Sequence, residues 1–179
     1  LLESKTIIIT GGGTGLGKSM ARRFGELGAN IVISGRRKEV LEETAEEFTQ
    51  KGIDVITCPG DVRKIEDVEL MLKQTKEKFG TINALLNNAA GNFISPTEML
   101  SQNAFKAVID IVLMGTWNCT STIGKEMIKN KSGNILSIVT TYAWTGSPFV
   151  VQTPTSSVPR GKIIVLDELL ITVISKNLT

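Results

Sequence analysis

Residues 6–17, TIIITGGGTGLG, constrain the fold of this chain more than any other stretch. Residues 6–9 are all β-branched and predict a buried parallel strand. The glycines that follow indicate a turn, and residues 18–27 after it have a helical pattern. Glycine allows positive φ and a close approach of backbone to ligand, while the first N–H groups of a helix attract anions. Strand, glycine turn and helix therefore predict a site for a phosphate-bearing cofactor.

The glycine spacing is a loose signal when it is taken alone. Gly11, Gly15 and Gly17 follow T-G-x-x-x-G-x-G rather than G-x-G-x-x-G, and glycines this numerous match several patterns by chance. A glycine-rich turn without a ligand is therefore the alternative, but the position between a strand and a helix favours a binding turn. We assign these residues to it: Gly11, Gly13, Thr14, Gly15, Leu16 and Gly17.

Composition and charge favour one globular domain that acts on a small molecule. Of the 179 residues 41% are hydrophobic, and the formal net charge is only +2. The charges are interspersed, which disfavours nucleic acid as a partner, and no apolar run of about 18 residues suggests a membrane span. The chain has no histidine, which excludes histidine-based metal sites and general bases, and we expect no bound metal.

The two cysteines, Cys58 and Cys119, lie far apart in the sequence. We interpret both as buried apolar residues in a reducing compartment. No signal peptide is visible, so we expect the cytoplasm or the mitochondrial matrix rather than secretion.

The second predicted strand, residues 30–34, ends in Gly35, Arg36 and Arg37. In dinucleotide-binding folds the end of this strand faces the adenine ribose, where an acidic residue binds the 2′-hydroxyl and an arginine accommodates a 2′-phosphate. No acidic residue stands here, and guanidinium groups match phosphate geometry. Arg36 and Arg37 therefore favour NADP(H) over NAD(H), with two arginines on a solvated loop as the alternative.

Polar residues also follow the third and fourth predicted strands. The third, residues 54–58, leads to Asp61, whose carboxylate is suited either to accept from the adenine amino group or to cap the helix predicted at residues 64–79. The fourth leads to Asn87, Asn88 and a bend at Gly91. Open α/β sheets bind ligands at the carboxyl ends of their strands, so these residues are predicted to border one site. A long helix over residues 103–131 and a fifth strand over residues 134–139 follow.

Three of these motifs, in this order and spacing, resemble the short-chain dehydrogenase/reductase family. They are residues 10–17, Asp61-Val62 and the N-N-A-A-G of residues 87–91. Residues 87–96, NNAAGNFISP, and residues 141–146, TYAWTG, resemble its 2,4-dienoyl-CoA reductase branch. The resemblance implies a Rossmann-type doubly wound parallel sheet in a domain of residues 1–151. It adds these residues to the expected cofactor contacts: Val62, Asn88, Ala89 and Gly91.

The resemblance also implies a reaction and the residues that perform it. In this branch, hydride passes from NADPH to a conjugated enoyl thioester of an acyl-CoA, and a proton is then donated. The residues that hydrogen-bond the thioester carbonyl correspond to Tyr142 and Asn92, and Thr140 stands where the wider family has a catalytic serine. Thr153 preserves a further hydroxyl of the family pattern. A packed aromatic and a turn amide are the alternatives for Tyr142 and Asn92.

The resemblance ends after residue 151. Where the family has a lysine this chain has Ser157, and Pro154 and Pro159 oppose the expected helix. No Y-x-x-x-K pair occurs, and whether Lys162 replaces the lysine is open. Residues 152–179 are interpreted as an atypical tail, so the sheet is expected to be truncated before its last strands. Residues 162–177 are apolar and compatible with either a strand or a helix.

Two classes of function stay open at this point. The first is an NADPH-dependent enoyl reductase, and the second is a catalytically silent nucleotide-binding remnant that has lost the family lysine. A ketoreductase or alcohol dehydrogenase is a third class, disfavoured because the Y-x-x-x-K pair is absent. A truncated sheet exposes an apolar edge, so we also expect a homo-oligomer.

Overall fold

The structure, a computed structural model, describes residues 1–92, 95–140, 162–166 and 169–175. Strands and helical segments alternate along residues 6–140, and two further strands follow. The elements are β1 (Thr6–Thr10), α1 (Gly15–Glu26), β2 (Asn30–Gly35), α2 (Lys38–Gln50), β3 (Val55–Pro59), α3 (Ile65–Phe79), β4 (Ala84–Asn87), a 3₁₀ turn (Thr97–Met99), α4 (Gln102–Ile109), a π-helical turn (Asp110–Met114), α5 (Gly115–Lys129), β5 (Asn134–Thr140), β6 (Lys162–Leu166) and β7 (Leu169–Ser175).

Five of the strands form a parallel sheet in the order β3-β2-β1-β4-β5. Its central strand, β1, pairs with β2 on one side and with β4 on the other, so that Ile8 lies between Val32 and Leu85. The chain runs outward from β1 to β3, then returns to the other side of β1 for β4. Ligands bind where the strand order of an open α/β sheet reverses, and here that point lies between β1 and β4. The predicted doubly wound parallel sheet is confirmed.

Helices cover both faces of this sheet, which explains why β1 and β2 are continuous apolar runs. On one face, Ile9 and Ile33 pack in a core with Phe48 of α2. On the other, Ile8 packs in a core with Ile123 of α5. All of these side chains are fully buried. A core on each face fixes the strand ends and the turns that follow them.

The helix expected over residues 103–131 is interrupted at its centre. Between α4 and α5 the backbone widens into a π-helical turn, and the Gly115 N–H donates to the carbonyl of Asp110. A Cβ on Gly115 would stand 2.5 Å from Cγ2 of Val62, so a glycine is required where this helix crosses the loop after β3. Periodicity alone does not reveal a π turn, and such turns often mark functional sites.

The apolar tail forms two antiparallel strands. β7 pairs with β5, from Asn134 opposite Ser175 to Thr140 opposite Leu169, and β6 pairs with β7. This answers the choice between strand and helix in favour of strand. A truncated sheet was expected to leave its last parallel strand exposed at the edge. Instead, β7 pairs with β5, and β6 forms the edge of the sheet.

Candidate functional site

A groove of about 190 Å³ lies at the carboxyl ends of the strands beside the switch point. Its walls come from the turns after β1, β2, β3 and β4, together with residues of α2 and of the π-helical turn. Eight of the residues that the sequence assigned to a cofactor line it: Gly11, Gly13, Thr14, Arg36, Arg37, Asp61, Val62 and Ala89. Motifs that are far apart in the sequence therefore border one space.

The glycines of the first turn are required by its geometry. Gly11 has φ of +67° and Gly15 has φ of +54°, which L residues with a side chain rarely adopt. A Cβ on Gly17 would stand 2.3 Å from the carbonyl oxygen of Gly11, so no larger residue fits there. Leu16, 44% exposed, and Gly17 belong to the first turn of α1. With Gly15, they lie outside the residues that line the groove.

A buried hydroxyl joins the turns after β1 and β4. Thr10 Oγ1 accepts from the N–H groups of Asn88 (3.0 Å) and Ala89 (2.9 Å) and donates to the carbonyl of Leu86 (3.3 Å). In return, the Asn88 side-chain nitrogen donates to the carbonyls of Thr10 (3.0 Å) and Gly11 (3.3 Å). Thr10 and Asn88 thus hold the two sides of the switch point together. Thr10 was not among the site residues predicted from the sequence.

Arg36 and Arg37 follow β2 and are exposed at the groove. In the part of the chain that the structure describes, neither guanidinium forms an ion pair with a carboxylate. The positive charge of Arg36 is among the influences that lower the pKa of Asp61 on the adjoining wall. This end of the groove therefore combines two available cations with one carboxylate.

The Asp61 carboxylate is engaged by Arg63. It accepts from the Arg63 backbone N–H at 3.0 Å and from Arg63 Nε at 2.9 Å. These hydrogen bonds, with the guanidinium charge, lower the pKa of Asp61 and favour its ionised form. The alternative of Asp61 as the helix cap is wrong, because α3 begins at Ile65 with Lys64 in the cap position. Asp61 instead fixes the turn that precedes the helix, and its predicted contact with adenine stays a prediction.

The fourth strand ends at a buried amide. Asn87 Nδ2 donates to Thr120 Oγ1 of α5 at 3.0 Å and lies 3.4 Å from Ser137 Oγ of β5. Beyond it, Gly91 approaches the π-helical turn so closely that a Cβ there would stand 2.9 Å from Cδ1 of Ile111. These contacts fix the loop that carries the predicted residues Asn88, Ala89 and Gly91.

The predicted catalytic residues are only partly within the described structure. Asn92 lies on the exposed loop after β4, and Thr140 is the last residue of β5. Both strands end at the same edge of the sheet. Tyr142 and Thr153 lie outside the described residues, as does Ser157. The proposed pairing of Asn92 with Tyr142 therefore stays a prediction.

Several groove residues escaped the sequence analysis. Val40 and Leu41 of α2 form part of the wall, although neither was predicted as a site residue. Their position in the first turn of α2, shortly after Arg37, is the signal that could have identified them. Ile111 reaches the groove through the π-helical turn, for which the sequence has no local signal.

The two cysteines take no part in the groove. Burial raises the pKa of Cys58 to about 11 and that of Cys119 to about 12, which keeps both thiols protonated and unreactive. Among the described residues, no group of three or more cysteine, aspartate or glutamate side chains is arranged to hold a metal ion. Nor does any helix in that part of the chain have the length and apolar character to cross a membrane.

The fold defines a doubly wound α/β protein with a groove beside its switch point. Residues 5–154 match the family model described as short chain dehydrogenase. The chain belongs to this family, whose members are oxidoreductases that typically use NAD or NADP.

Two curated relatives show which branch of the family this chain resembles. A probable 2,4-dienoyl-CoA reductase of Bacillus subtilis is 43% identical over 152 residues, which cover 84% of this chain and 60% of that protein. A probable 2,4-dienoyl-CoA reductase of Caenorhabditis elegans is 45% identical over 159 residues, 86% of this chain and 51% of that protein. The resemblance to this branch is confirmed. This chain spans 51% to 60% of the length of these two relatives.

A solved structure supports the fold assignment. The crystal structure of a short chain dehydrogenase from Bacillus anthracis superposes with a TM-score of 0.80 at 49% sequence identity. The match covers 84% of this chain and 63% of that one.

Proposed function

We propose that this chain binds NADPH in the groove and belongs to an oxidoreductase that reduces conjugated enoyl thioesters of the 2,4-dienoyl-CoA type. The observation that carries the proposal is the convergence of the glycine turn with Arg36 and Arg37 on one groove. Backbone donors at a glycine turn suit a pyrophosphate, and two unpaired guanidinium groups suit an additional phosphate.

Two features of the glycine turn support the proposal of such a cofactor. Gly17 has no room for a side chain beside Gly11, which is the close packing of helix against turn that a dinucleotide-binding fold needs. Thr14, the cap residue of α1, forms no side-chain cap bond to the backbone of that helix. In the proposal, Arg36 and Arg37 hold the 2′-phosphate. Asp61 and Val62 border the adenine, and Asn88, Ala89 and Gly91 border the nicotinamide.

The proposed chemistry assigns a separate role to the loop after β4 and the end of β5. Bound NADPH supplies the hydride for the conjugated system of the substrate. Asn92 and Tyr142 would donate hydrogen bonds to the thioester carbonyl oxygen, which gains negative charge as the hydride arrives. Thr140 and Thr153 would supply further hydroxyl groups near the reacting atoms. Donors aimed at this oxygen act mainly in the transition state and therefore raise the rate more than the affinity.

A nucleotide-binding protein without catalytic activity is the second candidate. The observation that favours it is the sequence after residue 151, where Ser157 replaces the family lysine and no Y-x-x-x-K pair occurs. The described groove accounts for binding without that lysine. If the lysine is needed for turnover, this chain will bind NADPH and reduce substrate poorly.

A steady-state assay separates the two candidates. The chain is mixed with NADPH and 2,4-hexadienoyl-CoA, NADPH oxidation is followed by absorbance, and the acyl-CoA product is identified by mass spectrometry. Slow but enzyme-dependent formation of enoyl-CoA supports the reductase. NADPH binding without any product supports the silent protein, and a chain that binds no dinucleotide contradicts both candidates.

We further propose that the chain self-associates, as the sequence analysis expected, and that it resides in the cytoplasm or the mitochondrial matrix. Large apolar side chains on the helix of α4 and α5 support self-association, since Phe105, Leu113 and Trp117 are all exposed and Trp117 is 61% so. Sedimentation velocity at micromolar concentration tests this part, and a monomer across the concentration range contradicts it. Cell fractionation tests the compartment, and recovery from the culture medium contradicts it.

A further inference from the structure

We infer that Thr44 of α2 is a positioning residue that sets the orientation of the glycine turn. Through that turn it positions the backbone donors available to a pyrophosphate. The inference rests on the proposed binding of NADPH in the groove. The Thr44 hydroxyl touches neither the groove nor its contents, and it acts through the carbonyl of Gly13.

The hydrogen bond that Thr44 donates differs from those that Thr49 and Thr75 donate. Thr49 and Thr75 donate to the carbonyls of Ala45 (2.8 Å) and Met71 (2.7 Å), one turn earlier in their own helices. This is the ordinary behaviour of threonine inside a helix. Thr44 Oγ1 instead donates to the carbonyl of Gly13, 31 residues away, at 2.9 Å. Thr44 as a whole residue is only 1% exposed, and the bond it forms is partly buried.

Gly13 is seated directly on α2. A Cβ on Gly13 would stand 3.1 Å from Cδ2 of Leu41 and 3.4 Å from Cγ1 of Val40. Both neighbours are apolar and restrict only how close the turn comes to the helix. The hydroxyl of Thr44 supplies the directional contact, because a hydrogen bond constrains the angle of the carbonyl as well as its distance.

The orientation of one carbonyl fixes that of the next N–H group. The C=O of Gly13 and the N–H of Thr14 belong to the same peptide unit, which is planar and trans. The two groups therefore point in opposite directions, and a carbonyl held towards Thr44 turns the Thr14 N–H away from it. Gly13 and Thr14 both line the groove. Without the hydroxyl, this peptide unit is free to rotate.

An ion pair beside the turn has a different role. Lys18, near the start of α1, lies 2.7 Å from Glu47 of α2, which also lies 2.6 Å from Lys51. These groups are partly exposed to water, where such pairs contribute little to stability. The pair joins the two helices but contacts no carbonyl of the turn. The Thr44 bond, which ends on the Gly13 carbonyl, is therefore the contact that orients the Gly13 peptide.

The test compares Thr44→Val, which removes the hydroxyl and keeps the shape, with Thr44→Ser, which keeps the hydroxyl. Thr49→Val, in the same helix, is the matched control. Affinity is measured for NADPH and for adenosine 2′-monophosphate, which has the adenine and the 2′-phosphate but no pyrophosphate. We expect Thr44→Val to weaken NADPH binding about tenfold and adenosine 2′-monophosphate less than twofold. Thr44→Ser and Thr49→Val should bind both probes like the parent chain.

Amide hydrogen exchange without any ligand gives a second readout. We expect faster exchange across residues 11–17 in Thr44→Val, and parent-like exchange there in Thr44→Ser. If Thr44→Val does not fold, Thr44→Ala removes the hydroxyl without a β-branched replacement and enters the same comparison.

Each contrary outcome has a defined meaning. Parent-like NADPH binding in Thr44→Val, or an equal loss for both probes, overturns the inference and leaves the proposed function intact. A parent chain that binds no dinucleotide contradicts the proposed function. In that case unchanged exchange across residues 11–17 in Thr44→Val overturns the inference separately.

Discussion

The two sides of the groove are built in different ways. The side formed by the ends of β1, β2 and β3 is mainly backbone, shaped by positive φ at Gly11, by the close approach at Gly17 and by the hydroxyl of Thr10. On the side formed by the ends of β4 and β5, the proposed roles belong to individual side chains; Asn92 lies on the described loop after β4, and Thr140 is the last residue of β5. A backbone site can be recognised from where glycines are required. The catalytic side chains predicted for the other side were recognised only through family resemblance.

We propose that the two sides have different roles, one in binding the dinucleotide and the other in reducing the substrate. Residues on the β1 side should control affinity for the dinucleotide, and residues on the β4 and β5 side should control the rate of reduction. The following substitutions test that division, beginning with the one expected to have the largest effect.

Tyr142→Phe tests the side-chain half. It removes one donor to the thioester oxygen and should lower kcat about 100- to 1000-fold, because the bond strengthens as charge develops. The affinity for NADPH, measured by fluorescence titration, should match that of the parent chain and serves as the internal control. A variant that reduces 2,4-hexadienoyl-CoA as fast as the parent contradicts the assigned mechanism.

Gly17→Ala tests the backbone half. The new methyl group would stand 2.3 Å from the Gly11 carbonyl oxygen and 2.6 Å from Asn88 Nδ2, so the turn must shift. We expect NADPH affinity to fall more than tenfold and the free energy of unfolding to fall by about 1–3 kcal/mol. Gly124→Ala in α5 is the control, because its nearest neighbour would be an ordinary contact at 3.6 Å. Equal affinities in the two variants would show that the turn tolerates a side chain.

Thr10→Val tests the link between the two sides. It leaves the N–H groups of Asn88 and Ala89 and the carbonyl of Leu86 without their hydroxyl partner. Since Thr10 is buried, we expect the free energy of unfolding in urea to fall by about 2 kcal/mol. Thr10→Ser should recover most of it. Parent-like stability in Thr10→Val would indicate that the two sides are not coupled through this residue.

Glu47→Gln tests the smallest effect, the ion pair beside the glycine turn. The hydrogen bond from Lys18, followed by that from Lys51, lowers the pKa of Glu47 from 4.5 to about 2. A lowered pKa in the folded state stabilises the fold above about pH 5, and this contribution is lost as the pH falls towards 2. The Tm difference between parent and Glu47→Gln should therefore shrink from pH 7 to pH 3. Glu43→Gln, on the same helix, is the control and should show no such trend.

Local patterns predicted much of the fold. The β-branched residues 6–9 predicted a strand that the structure extends by one residue to Thr10, and the strand predicted at residues 30–34 is extended by one residue to Gly35. These elements follow from short-range periodicity and from glycine turns. The groove residues after β1 and β2 were predicted for the same reason.

The remaining features depend on contacts between distant parts of the chain. The π-helical turn forms where Gly115 meets Val62, and this contact brings Ile111 to the groove. Asp61 does not cap α3 because it is bonded within the turn before the helix: its carboxylate accepts from the Arg63 N–H and its carbonyl accepts from the Lys64 N–H. The tail forms strands because β5 offers a pairing edge, which the apolar pattern of residues 162–177 does not reveal.

The central claim is that Arg36 and Arg37 select NADPH at a backbone-built groove, and the direct test is the ratio of the dissociation constants for NADH and NADPH. The parent chain should prefer NADPH by about 30-fold, which corresponds to about 2 kcal/mol of charge-assisted hydrogen bonding. The double variant Arg36→Ala, Arg37→Ala should lose most of this preference. The double variant Arg22→Ala, Arg23→Ala, which removes two exposed arginines from α1, should retain it. Equal affinity of the parent chain for the two dinucleotides would contradict the account.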